Sequence, residues 1–401
     1  MIVSPVNFSS AGIARLQAGI EHHVAGGYAP GAVGLVACGD VVESFVVGHA
    51  DLGRSQPMRR DMIFRIASMT KPITAAAVLM LIEDGKLALD EPVDRLLPEL
   101  ADRRVLRSID AELDDTVPAV RPITVRDLLT FQMGLGIVLA PPGTHPIQRK
   151  LEDLAIMGFG PPDPTTPFDN DEWMRRLGTL PLMAQPGTDW LYTAGSNVQG
   201  VLVARASGQS LGTFFEERIF DPLGMRDTAF HVPPDKITRF HSGIKLEGEA
   251  LAVYDDAATG GWSRPPIFEA GDAGLVSTVD DYLIFARLLL DRGRHQDRTL
   301  LSQASIEAMT TNHLTDAQRA AGSLILAPPY GWGFGLAVAV ERDAIGTNPG
   351  TIHWEGGLGT SWASDPTSGL TTILLTPRMF ESPVMPPIHR DFLIAARQAL
   401  A

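Results

Sequence analysis

Strand signals gather at the two ends of this chain and helix signals fill its middle, a distribution that leaves few ways to fold it. Ala32 to Cys38 and Val41 to Val47 read as strands joined by a tight Gly39-Asp40 turn. Weak alternation over Ile237 to Asp256 suggests a small hairpin. Strand texture returns only at Gly335 to Val340, Thr351 to Trp354, Ser361 to Asp365 and Leu370 to Thr376. Helical spacing marks Ala11 to Ala25 and His389 to Leu400. The simplest packing is one antiparallel sheet built from both ends and flanked by the terminal helices, with a mainly helical lobe inserted. The expected class is α/β (α+β). The sheet lobe would take residues 1–66 and 330–401 and the helical lobe residues 67–329, together one catalytic unit spanning 1–401. A site between two such lobes would be natural.

The inserted part opens with Phe64-Arg65-Ile66-Ala67-Ser68-Met69-Thr70-Lys71-Pro72 and the apolar run Ile73 to Ile82. Pro72 fits a first helical turn, Ala75 to Leu81 favours the helix, and Gly85 is placed to stop it. Positions i and i+3 share a helix face, so the Lys71 amine can reach the Ser68 hydroxyl. A serine needs a neighbour to take its proton, and a desolvated lysine can do so. The bland alternative is a helix cap. Ser-x-x-Lys is weak alone, since Ser242-Gly243-Ile244-Lys245 also matches in a strand-like or loop context.

The net charge of −14 argues against nucleic-acid or anionic-membrane partners. The only cysteine, Cys38, excludes an intrachain disulfide and a Cys-rich metal site, and its apolar run marks it as a buried structural thiol. Neither a His/Cys/acid metal set nor a cofactor motif is present. No basic-then-apolar leader or long apolar span is visible, so a cytoplasmic location is expected. Glu21-His22-His23 reads as a solvated helix face. Pro141 to Phe168, rich in Pro and Gly, is too long for a simple connector and reads as a lid, a binding loop or a partner surface.

Two further pieces suit a serine–lysine pair. Tyr192, in Trp190-Leu191-Tyr192-Thr193-Ala194-Gly195 after the turn Gln185-Pro186-Gly187, is a candidate proton relay; its bland reading is a core tyrosine. His353-Trp354-Glu355-Gly356-Gly357-Leu358-Gly359-Thr360 ends a strand in glycines that let backbone approach a ligand. An amide there, with that of Ser68, would make an oxyanion hole; the alternative is a plain glycine hairpin.

FRIASMTK, the LLT-x-x-x-G-L segment (Leu128 to Leu135), the Gln-Pro-Gly then Tyr192 segment, FDPLGM (Phe220 to Met225) and WEGGLGTSW occur in that order. In this the chain resembles the serine β-lactamase-like superfamily, in its class C β-lactamase, D-alanyl-D-alanine peptidase and family VIII carboxylesterase branch, over roughly Ile13 to Leu375. The resemblance implies the β-lactamase/transpeptidase-like fold. It also implies Ser68 as acylated nucleophile, Lys71 as its base partner, Tyr192 as acid/base, and the Ser68 and Gly357 amides as oxyanion hole. Trp354, Glu355, Gly356, Ala194 and Gln132 become the candidate substrate-binding positions.

Two departures bear on substrate. The β-lactamases carry Tyr-x-Asn, where this chain has Ala194, and Lys-Thr-Gly, where it has Trp354-Glu355-Gly356. The lost lysine removes the cation that pairs with a β-lactam or peptide carboxylate, and Glu355 is expected to add negative charge beside the site. A carboxylesterase on small neutral esters is therefore expected, the Trp-x-Gly form being similar to the esterase branch. The rivals are a β-lactamase or D-amino-acid peptidase using Arg264 or Arg342 for the carboxylate, an acyltransferase, and a non-catalytic sensor of the same fold. A Ser-His-Asp hydrolase is poorly supported, since Ala363 stands where the second glycine of G-x-S-x-G would be. The expected partner is a small-molecule ester or amide; oligomeric state is not legible.

Overall fold

The computed structural model describes residues 7–158 and 160–400. After helix α1 (Ser10–Ala25) come strands β1 (Gly31–Cys38) and β2 (Val41–Gly48). The middle of the chain holds α2 (Thr70–Glu83), α3 (Ala194–Ser207), α4 (Val279–Leu290) and several shorter helices. Strands β3 (Tyr330–Trp332), β4 (Ala337–Ala339), β5 (Ile352–Gly356), β6 (Thr360–Asp365) and β7 (Leu370–Leu375) follow, and α5 (Pro387–Ala399) closes the described chain. The seven strands form one antiparallel sheet ordered β3-β4-β5-β6-β7-β1-β2. The two ends of the sequence meet at β1 and β7, where Val33 pairs with Leu375 and Cys38 with Leu370.

Central β1 is buried along its whole length, which explains its unbroken apolar sequence. Ala32 and Val36 pack with Leu16, Ile20, Phe392 and Ala396 of the terminal helices. Val33, Leu35 and Ala37 face the opposite way, into the main core. Helix α4 covers that second face, its Tyr282 ring lying 5.6 Å from Trp362 on β6. Helix α4, from within residues 67–329, packs on this face because its apolar stripe fits the side the terminal helices leave open. One continuous core runs from β1 through α2 to Val198 and Leu202 of α3.

Helix α2 is buried from Thr70 through Leu81, as a helix apolar on all sides must be. It ends where expected, at Gly85, whose φ of +71° is the left-handed conformation that glycine adopts without a Cβ penalty. Thr124 and Asp127 form the expected capping box. Among the elements that escape the sequence pattern are the three-residue edge strand β3, the short helix Asp316–Ala321 and the hairpin of Arg104–Leu106 with Thr116–Pro118. The Pro141 to Phe168 segment holds a helix of its own, Pro146–Asp153, where only loop texture is legible. Cys38 is buried, with its thiol on the Ser368 carbonyl. Glu21 and His22 are exposed, but His23 is half-buried and bonded to Asp391 at 3.0 Å, fastening α1 to α5. Among the described residues no helix is long and apolar enough to cross a membrane, and no cluster of His, Cys, Asp or Glu could hold a metal ion.

Candidate active site

Ser68 sits in a tight turn, Ala67–Met69, that leads directly into α2. Ala67 holds φ at +43°, a conformation costly for any residue with a Cβ. The turn is clamped from several sides. The Tyr282 hydroxyl donates to the Met69 carbonyl at 3.0 Å, the Ile66 amide to the Leu275 carbonyl at 3.0 Å, and the Thr360 hydroxyl to the Ile66 carbonyl at 3.2 Å. The sheet can come this close because residue 356 is glycine. A Cβ there would lie 2.1 Å from the Ile66 carbonyl oxygen and 2.2 Å from Thr360 Oγ1.

Lys71, fully buried, donates to Ser68 Oγ at 2.9 Å and to the Asp272 carbonyl at 2.8 Å. Burial lowers its pKa from 10.5 to about 8, against a smaller opposing pull from the Asp272 charge. A lysine so placed yields its proton near neutrality and can then accept one from Ser68. Its Nζ also lies 4.6 Å from the centre of the Tyr192 ring.

Tyr192 precedes Thr193, the N-cap of α3, which holds φ at +83°. A β-branched residue in that region is a genuine backbone outlier, so strained residues stand beside both Ser68 and Tyr192. Phe131, Trp190, Trp332 and Trp354 pack around the Tyr192 ring at centroid distances of 5.8, 5.7, 6.3 and 5.4 Å. The Trp354 indole N–H donates to the phenol oxygen at 2.8 Å. Burial pushes the phenol pKa above its ordinary value; hydrogen bonding with Ser68 and Trp354 opposes this, while the charges of Asp272 and Glu355 add to it. Tyr192 is therefore held protonated, suited to give a proton rather than take one.

Ser68, Tyr192, Ala194 and Gly357 line one cleft of about 510 Å³. The Pro141 to Phe168 segment forms its outer wall, through residues from Glu152 to Pro167, so this stretch shapes the site. A Cβ on Gly357 would meet nothing within 4 Å, and its carbonyl is held by the Phe380 amide at 2.7 Å.

The other candidate positions lie elsewhere. Trp354 is buried behind Tyr192, bonded to its phenol oxygen and absent from the described cleft lining. Gly356 packs under Ile66. Glu355 is bonded to His353 Nδ1 at 2.9 Å, since alternation along β5 turns both away from the face that carries Trp354. It is absent from the described cleft lining, as are Gln132, Arg264 and Arg342. The second Ser-x-x-Lys is structural: Ser242 Oγ accepts from the Ala257 amide, and Lys245 pairs with Glu247 across 3.5 Å.

Sequence reasoning missed Asp272 and Asn197. Besides the bond from Lys71, Asp272 accepts from the Thr193 hydroxyl at 3.2 Å, and its amide donates to Asn197 Oδ1 at 3.1 Å. Both line the cleft. Asn197 lies one turn beyond Ala194 on α3, so an asparagine side chain reaches the site region from a later position than Tyr-x-Asn would supply. The only signal for Asp272 was the Gly- and Pro-rich loop that carries it.

A family model described as Beta-lactamase matches residues 16–395. Protein Rv1367c of Mycobacterium tuberculosis is 39% identical over 337 residues, covering 82% of this chain and 80% of its own. Esterase EstB of Burkholderia gladioli is 34% identical over 388 residues, covering 92% and 91%. Among solved structures, EstCE1, described as a hydrolase with promiscuous acyltransferase activity, shares the fold with a TM-score of 0.77 at 24% identity, over 97% of this chain and 98% of that one. The chain belongs to the Beta-lactamase family, in the serine hydrolase-like superfamily.

Proposed function

We propose that this protein is a carboxylesterase that works through an acyl-enzyme on Ser68 and acts on small esters without a carboxylate. The observation that carries the reading is the 2.9 Å bond between buried Lys71 and Ser68, beneath a phenol held protonated. Neutral Lys71 takes the Ser68 proton as Oγ attacks the ester carbonyl carbon. The Ser68 and Gly357 amides receive the oxyanion. As the intermediate collapses, the bond to the alkoxide breaks and Tyr192 supplies its proton. Water then attacks the acyl carbon and gives a proton to the Tyr192 phenolate; as the bond to Oγ breaks, Lys71 returns its proton to Ser68, leaving the acid and the starting enzyme.

An ester rather than a β-lactam or peptide is favoured by the absence of Lys, Arg or His among the described lining residues. The likeness to Esterase EstB supports the same choice. A fluorophosphonate probe should label the protein and fail to label Ser68→Ala. Short p-nitrophenyl esters should exceed nitrocefin in kcat/KM; the reverse order would overturn the ester reading.

A further inference from the structure

The cleft is built for a cation as well as for an acyl group. Its described lining carries three carboxylates, Asp272 beside Lys71 and Glu152 and Asp163 on the outer wall, with no basic side chain to balance them. Glu152 is exposed, and the Asp163 carboxylate accepts only within its own turn, from the Thr165 amide and hydroxyl. The cleft's inner surface adds Trp173, Trp262 and Phe268, the first and last stacked with ring centroids 5.1 Å apart. Aromatic faces attract ammonium groups, the more so where water is excluded, and nearby carboxylates add a field of the same sense. Lys71 offsets this charge only while it is protonated; the neutral lysine that accepts the Ser68 proton leaves Asp272 unbalanced. Asp272 thus places a charge next to the groups that carry out acyl transfer.

Resting on the esterase reading, we propose that the enzyme selects esters bearing an ammonium group over their neutral isosteres, with Asp272 as the residue that sets the preference. The substrate class is amino- or trimethylammonium-alcohol esters of small acids.

Acetylcholine and 3,3-dimethylbutyl acetate have the same shape and differ in one charge. The kcat/KM ratio of this pair should favour the cation by roughly three- to thirtyfold, the range expected for a cation on aromatic rings. In Asp272→Asn the backbone carbonyl that accepts from Lys71 is retained, so any general loss of rate falls on both esters, while the ratio should move toward one. A ratio near one in the wild-type enzyme overturns the proposal and leaves the esterase reading intact. A preference that survives Asp272→Asn overturns the role of Asp272. If neither ester turns over, the esterase reading fails, and calorimetric binding of choline against 3,3-dimethylbutanol to Ser68→Ala decides the cation preference by itself. Equal affinity there would end it.

Discussion

The indole N–H of Trp354 donates to the hydroxyl oxygen of Tyr192 across 2.8 Å. That bond occupies one acceptor position on the phenol and so turns its own proton away from Trp354. It also links the sheet to Tyr192, since Trp354 stands on β5 and pairs with Trp362 on β6.

Trp354→Phe keeps the ring and removes the donor. A lost neutral hydrogen bond is worth about 1 kcal/mol. Ester kcat should fall by roughly five- to tenfold with KM little changed, and the Tyr192 pKa should rise further. Steady-state kinetics across pH would check this; an unchanged kcat would show that the bond does not orient the relay.

The Lys71 pKa of about 8 fixes the acid limb of the pH profile. The base must be neutral, so ester kcat/KM should rise with pH and reach half its plateau near 8. Lys71→Arg introduces a cation that does not deprotonate in this range. Because general-base catalysis contributes about 10²–10⁴-fold, activity should fall by that much and the limb near 8 should vanish. Normal activity in the arginine variant would move the base role elsewhere.

Adjacent glycines on β5 and beyond it should respond in opposite ways. Gly356→Ala forces a methyl into the Ile66 carbonyl and Thr360, both part of the clamp on the Ser68 turn. Overpacking of this kind costs about 1–3 kcal/mol, so melting temperature and activity should drop together. Gly357→Ala meets open space, so the melting temperature should hold while kcat/KM changes with acyl size. Calorimetry beside an ester chain-length series separates the two.

Glu355→Gln should leave the kcat/KM ratio between anionic and neutral esters within about twofold, because the side chain faces His353 and a screened, indirect charge contributes little. Matched succinate and butyrate monoesters provide the measurement. A large gain for the anionic ester would return Glu355 to the substrate side.

Local chemistry made much of the site readable. Ser68 and Lys71 are three residues apart at a helix entrance, so their meeting follows from helix geometry alone. The strand runs at both ends, the Thr124 capping box and the stop at Gly85 are likewise short-range facts. Glu355 and Asp272 show where this ends. Glu355 sits beside the aromatic residue that serves the site, yet strand alternation turns its carboxylate to His353. Asp272 lies 201 positions from Lys71 and carries no motif, yet its carbonyl holds the lysine.

By itself the sequence determined the main strands and helices, and that a serine and a lysine would meet at the entrance of one buried helix. Periodicity, capping and the apolar run after Pro72 are sufficient causes for that. Only tertiary structure decided which carboxylates face the cleft, that α4 covers the sheet, and that Trp354 serves Tyr192. These depend on contacts between residues far apart in the chain, where close packing selects a neighbour and no local pattern records the choice.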